Sequence, residues 1–128
     1  MKKTNGFAAF IALFVIAVVA GAIALSVTYS SINTMNTALA YGKGIEVSNI
    51  GESCIDEALL RLRDISGYAG ETMTVGNGSC VILVTGTGAN RTITVTATLP
   101  GPPNYVIQYM VTAKRAGGNI RVISFQKQ

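Results

Sequence analysis

The stretch that decides how this chain reads is Phe7–Val27, FAAFIALFVIAVVAGAIALSV. Its 21 residues carry no charge. At about 1.5 Å per helical residue they reach across the roughly 30 Å hydrocarbon layer of a membrane. Working outward, a short leader, Met1-Lys2-Lys3-Thr4-Asn5-Gly6, stands in front of it. Behind it, everything after Ser31 reads as a small water-soluble unit of about 100 residues, enough for one domain with one core. No other segment resembles the apolar run. The pattern describes a chain tethered or assembled through its N-terminus, with a polar head.

Three kinds of N-terminal segment share these features. A cleavable secretory signal needs a basic start, which Lys2 and Lys3 supply, and small residues for a cut, which Ala20, Ala22 and Ala24 supply. A plain signal anchor needs only the charges and the run. The third kind depends on the junction itself: two lysines, then Gly6, then Phe7 opening the run with no polar spacer. That junction resembles the leader of type IV prepilins. The resemblance implies a membrane peptidase that cuts after Gly6, methylation of Phe7 as the new terminus, and retention of the run as a permanent helix. Lys2 and Lys3 would hold that end on the cytoplasmic side and place the head outside. The implied partners are further copies or other pilin subunits in a filament, the prepilin peptidase, and the membrane before assembly.

Pilins continue the apolar run into an amphipathic helix on which a small antiparallel sheet packs. This chain shows the same order, so the expected fold is α+β: residues 1–6 leader, 7–27 transmembrane or filament-core helix, 28–128 extracellular head. One departure stands out. Pilins commonly carry a glutamate at the fifth position after the cut, thought to neutralise a neighbour's free amine. Counting from Phe7 that position is Ile11, and Gly6 to Leu25 holds no ionisable side chain. The chain therefore lacks one docking interaction; pilin-like subunits without that glutamate include minor ones placed at a filament tip, and the resemblance leaves major and minor subunit both open.

Charged residues make up 12% of the chain, below the usual quarter of a soluble domain, and histidine and tryptophan are absent. Scarce charge with abundant Thr, Gly and Val suits an extracellular, sheet-rich head. Cys54 and Cys80 are the only cysteines and fall on different expected elements. In an oxidising compartment they would clamp helix to sheet through a disulfide; the alternative is two independent buried thiols. Two sulfurs without a histidine make a poor metal shell.

Ser26 to Asn36 is rich in Ser, Thr and Asn, where a helix would leave a membrane. Gly42, Gly44 and Gly51 make Tyr41–Gly51 the weakest part of the helical expectation, each costing about 1 kcal/mol, and leave a break or flexible joint open there. The helical pattern then strengthens. Val47, Ile50, Cys54, Ala58, Leu62 and Ile65 recur at three- and four-residue spacing, with Ile55 and Leu59 widening the stripe. A helix over about 45–66, stopping near Ser66-Gly67, follows. Over about 71–127 the period switches to two. Strands are expected at Thr72–Val75, Cys80–Thr85, Arg91–Leu99, Tyr105–Lys114 and Ile120–Gln126, in an antiparallel meander with one wet face.

Catalytic chemistry finds little footing. Gly86-x-Gly88 lacks the third glycine and following helix of a dinucleotide loop, so it reads as a turn. Asp56 and Glu57 are adjacent and diverge by about 100° on a helix, which rules out a shared substrate. The many hydroxyls lack a histidine, or a lysine in a recognisable dyad, to activate them. Asn77-Gly78-Ser79 and Asn90-Arg91-Thr92 match the glycan-acceptor pattern, a short and common one. No enzyme activity and no cofactor is expected.

Charge is unevenly placed. All six acids lie between Glu46 and Glu71, whereas Thr72–Gln128 has Arg91, Lys114, Arg115, Arg121 and Lys127 and no acid. Lys114, Arg115 and Arg121 flank one expected hairpin and form a candidate basic patch. Its partner would be DNA, an anionic surface polymer or the acidic helix face of the next subunit; the alternative is scattered charges guarding strand edges. The expected function is a filament subunit. Its rival is a secreted or membrane-anchored binding module with that basic patch.

Overall fold

The computed structural model describes residues 5–128, and the leader residues Lys2 and Lys3 lie outside the described residues. The chain divides into two compact units, one ending at Ala40 and the other comprising Tyr41–Gln128. A single helical element, α1, runs Asn5–Asp64.

In the first unit every residue from Gly6 to Ala40 is exposed. By length and composition this helix can cross a membrane. The Ser/Thr-rich stretch stays helical because its hydroxyls turn back onto the preceding turn. Ser26 donates to the Ala22 carbonyl at 2.8 Å, Thr28 to Ala24 at 2.9 Å and Thr34 to Ser30 at 2.9 Å. Each hydroxyl is thereby satisfied without water.

The second unit holds the rest of α1 and five strands: β1 (Thr72–Val75), β2 (Gly78–Thr85), β3 (Asn90–Leu99), β4 (Tyr105–Ala116) and β5 (Asn119–Lys127). They pair antiparallel in the order β1-β2-β3-β4-β5, a simple meander. The β4–β5 turn uses Gly117 and Gly118 at φ of 58° and 85°, the positive values that a tight hairpin needs.

Alternation sorts each strand into two faces. Ile93, Val95, Ala97 and Leu99 are buried beneath α1, and Thr92, Thr94, Thr96 and Thr98 face outward. Cys80, Ile82 and Val84 of β2 and Tyr109, Val111 and Ala113 of β4 complete the inner face. Against them α1 buries Val47, Ile50, Cys54, Ile55, Ala58 and Leu62, the three- and four-residue stripe of its sequence.

Of the alternatives open over Tyr41–Gly51, α1 shows no break; that segment is helical throughout. Val47, Ile50 and Gly51 are already buried against the sheet, and such packing outweighs the roughly 1 kcal/mol cost of each glycine. At its other end α1 stops at Asp64, slightly before the expected glycine. The Ile65 amide closes the last turn on the Arg61 carbonyl at 2.7 Å. Cys54 and Cys80 form a disulfide, with Cα atoms 6.6 Å apart, joining the helix to β2.

Candidate functional site

At 100° per residue, positions 48, 52, 56, 59 and 63 stand on one side of α1. That side looks toward β5. The contact is direct at one end, where Lys127 donates to the Ser48 hydroxyl at 3.2 Å and Ser48 shares a 2.7 Å hydrogen bond with the Tyr109 hydroxyl. The Lys127 ammonium also lies 5.9 Å from the Tyr109 ring centroid, and Tyr109 packs on Phe125 at 5.4 Å. Further along, α1 and β5 stand apart. Asp56, Leu59, Leu60 and Arg63 on the helix, with Asn119, Ile120 and Val122 on the strand, line an open groove of about 670 Å³.

The groove exists because the sheet is wider than the helix. Register places Phe125 opposite Val111, Val122 opposite Ala113 and Ile120 opposite Arg115, all on the inner face. The β4 residues Val111 and Ala113 are fully covered, yet Val122 remains 44% exposed and Phe125 52%. Strand β5 is thus an edge whose apolar inner face is only partly covered among the described residues, with Ile120 half-buried against the core and Phe125 against Tyr109.

The other flank of α1 is electrostatically closed. Lys43 pairs with Glu46 at 2.9 Å, and Arg61 bridges Glu57 at 2.7 Å and Glu71 at 3.3 Å. The hydrogen bond from Lys43 lowers the Glu46 pKa, and those from Arg61 to Glu57 and its attraction to Glu71 raise that of Arg61. Tyr68 donates to Glu71 at 3.1 Å, and burial, reinforced by that bond, pushes its hydroxyl up to about 12. Asp64 is paired with Arg63. Among the described residues, only Glu52 and Asp56 of the six acids form no ion pair.

The three residues of the candidate basic patch separate. Lys114 and Arg121 are direct cross-strand partners on the outer face, both exposed. Arg115 lies on the inner face, in line with Val111 and Ala113, because neighbours in a strand point to opposite sides. There it donates to the Arg63 carbonyl at 3.3 Å, while Arg91 reaches the Ser66 carbonyl at 3.0 Å and the Gly86 carbonyl at 2.6 Å. Both arginines neutralise the negative C-terminal end of α1. The outward patch is therefore the pair Lys114 and Arg121.

Gly6 and Phe7 lie in the first turns of α1, exposed. The Ser48–Lys127 contact joins residues 79 apart in the chain and is a hydroxyl–lysine pair the sequence reading does not contain. Its geometry suits packing: an ammonium that donates to the hydroxyl has no lone pair with which to take its proton. Among the described residues no cluster of His, Cys, Asp and Glu is placed to hold a metal. Compared with known proteins, the chain matches no family model, no curated protein and no solved structure.

Proposed function

We propose that the chain is a structural subunit of a type IV pilin-like filament, membrane-held before assembly and joined to its neighbours through the first unit of α1. One observation carries this reading. Twelve large apolar side chains between Phe7 and Val27 are exposed. Covering such a side chain is worth about 1.5–3 kcal/mol, so leaving all of them in water would cost on the order of 20 kcal/mol. That exceeds the roughly 5–15 kcal/mol by which a domain is stable. Lipid or other copies of the helix must cover this surface.

The leader supports a route from one cover to the other. Cleavage after Gly6 removes Lys2 and Lys3 and frees Phe7, while the apolar helix is kept. Ala8, Ala9, Ala12, Ala17, Ala20, Gly21, Ala22 and Ala24 are small and let neighbouring helices approach closely. The back-bonded hydroxyls of Ser26, Thr28 and Ser31 allow the same packing to continue without unsatisfied polar groups. The heads then face outward, outside the cell. A second reading, an anchored or secreted binding module, draws on the exposed sheet cations Lys114 and Arg121, which form no ion pair among the described residues, and takes an anionic polymer or DNA as ligand.

The mass of the mature N-terminal peptide decides between them. Methylated Phe7 is the expected result, with loss of processing and of filaments when Gly6 is replaced by a bulky residue. A mature start near Ala22 or Leu25, or an intact Met1, overturns the filament proposal.

A further inference from the structure

We infer that two carboxylates on the β5-facing side of α1, Glu52 and the groove residue Asp56 one turn further on, receive the Lys114–Arg121 pair of a second copy of this chain. The inference rests on the filament reading and names the contact that would set the register between heads. It starts from what ion pairing leaves over. Among the described residues, Glu46, Glu57, Asp64 and Glu71 are each within 4.0 Å of a lysine or arginine, and Glu52 and Asp56 are not. The exposed cations Lys114 and Arg121 likewise have no carboxylate partner.

The spacing of the two pairs matches. Glu52 and Asp56 are one helical turn apart, with Cβ atoms about 5–6 Å from each other. Lys114 and Arg121 sit directly opposite across β4 and β5, about 5 Å apart. Two carboxylates at that separation meet two cations one to one.

Placement excludes the same contact within a single copy. Glu52 and Asp56 belong to the helix, on the inner side of the sheet; Lys114 and Arg121 project from its outer side. Every copy therefore presents, on opposite sides of its sheet, a carboxylate pair and a cation pair that have no ion-pair partner among the described residues. A contact between unlike surfaces of identical chains repeats from copy to copy, and it builds a filament wherever the rotation between copies does not close a ring. The apolar lining beside Asp56, from Leu59, Leu60, Ile120 and Val122, gives the second copy apolar surface to cover next to that carboxylate. A second copy is favoured over nucleic acid because two cations make a small phosphate footprint, whereas the acids need a cationic partner that DNA lacks.

The test is reciprocal charge reversal in the full chain, with filament yield measured from cells. Glu52→Lys with Asp56→Lys is expected to lower yield about tenfold or more through like-charge repulsion, and Lys114→Glu with Arg121→Glu to do the same. All four changes together are expected to restore it. Carbodiimide treatment of mixed light- and heavy-isotope wild-type filaments is expected to give Lys114–Glu52 or Lys114–Asp56 links between light and heavy chains. Disulfide formation in each variant verifies that the head has folded. Wild-type yield from either double variant, or loss without rescue, overturns the inference while filaments of the wild type leave the assembly reading standing. Unchanged filaments with lost DNA retention in Lys114→Glu/Arg121→Glu overturn it in favour of nucleic acid. Absence of filaments from the wild type overturns both.

Discussion

Replacing Gly51 by alanine should destabilise the head, although alanine is the better helix former. At an open helical position the change gains about 1 kcal/mol. Gly42 and Gly44 are such positions, with nothing within 4 Å of a Cβ built on either. At Gly51 the new Cβ runs into the Tyr109 ring, with Cδ2 at 2.9 Å and Cε2 closer still, and lies 3.5 Å from the Ala97 Cβ. The ring has little freedom to retreat. It is 1% exposed, its hydroxyl is tied to Ser48 at 2.7 Å, and it packs on Phe125. Overpacking of this kind costs about 1–3 kcal/mol, and losing the Ser48 bond adds about 1 kcal/mol. Set against the propensity gain, Gly51→Ala should lose about 1–3 kcal/mol, while Gly42→Ala and Gly44→Ala each gain up to about 1. Denaturant unfolding of the full-length protein in detergent, followed by tyrosine fluorescence, reads the sign directly. Equal stabilisation by all three substitutions would falsify the claim that Gly51 is there to admit Tyr109.

Two further outcomes follow from the same structure. Removing the disulfide with Cys54→Ala/Cys80→Ala opens a loop with a sequence separation of 26, and the chain-entropy relation puts the loss at about 3.5 kcal/mol; a loss under about 1 kcal/mol in the same unfolding experiment would contradict it. Tyr68, pushed up to about 12 by burial and its bond to Glu71, binds its proton more tightly folded than unfolded. Its contribution is fully present below pH 10 and is lost as pH rises toward 12. Ultraviolet titration should show an absorbance step near pH 12 that Tyr68→Phe removes, and a step that persists unchanged in that variant counts against the assignment.

How much of this was readable in the residues depends on the range of the interaction. The stripe from Val47 to Leu62 and the alternation of Ile93, Val95, Ala97 and Leu99 are short-range periodicities, and burial follows both. The Cys54–Cys80 bond was legible because the chain offers only one pair. The need for glycine at position 51 inside an unbroken α1 was not, because the ring it admits, Tyr109, is 58 positions away and marked by nothing local. The same holds for Ser48 with Lys127. Arg115 is a different case. Its separation from Lys114 and Arg121 was available from the alternation of β4, since Val111 and Ala113 fix the inner face; sequence proximity alone suggested a grouping that the pleat forbids. The groove beside β5 had no signal at all, because its existence depends on how far the sheet overhangs the helix.

That overhang bears on how an assembly of such chains would keep its order. An uncharged apolar helix packs against another through contacts that are individually weak and poorly directional. From Gly6 to Leu25 nothing on α1 carries a charge, so bundled copies of that segment can slide or rotate past one another at small cost. Ion pairs at fixed spacing have less freedom, since a displacement of one helical turn leaves only one of the two pairs in place. A filament built from this chain therefore needs its cohesion from the first unit and its register from the head. On the head, the charges that form no ion pair among the described residues fall on opposite sides of the sheet: Glu52 and Asp56 on α1, with Asp56 lining the groove, and Lys114 and Arg121 on the outer face of the hairpin. Raising ionic strength screens the exposed pairs but leaves the apolar packing intact. On this division of labour, high salt should loosen the order of the heads before it separates the helices.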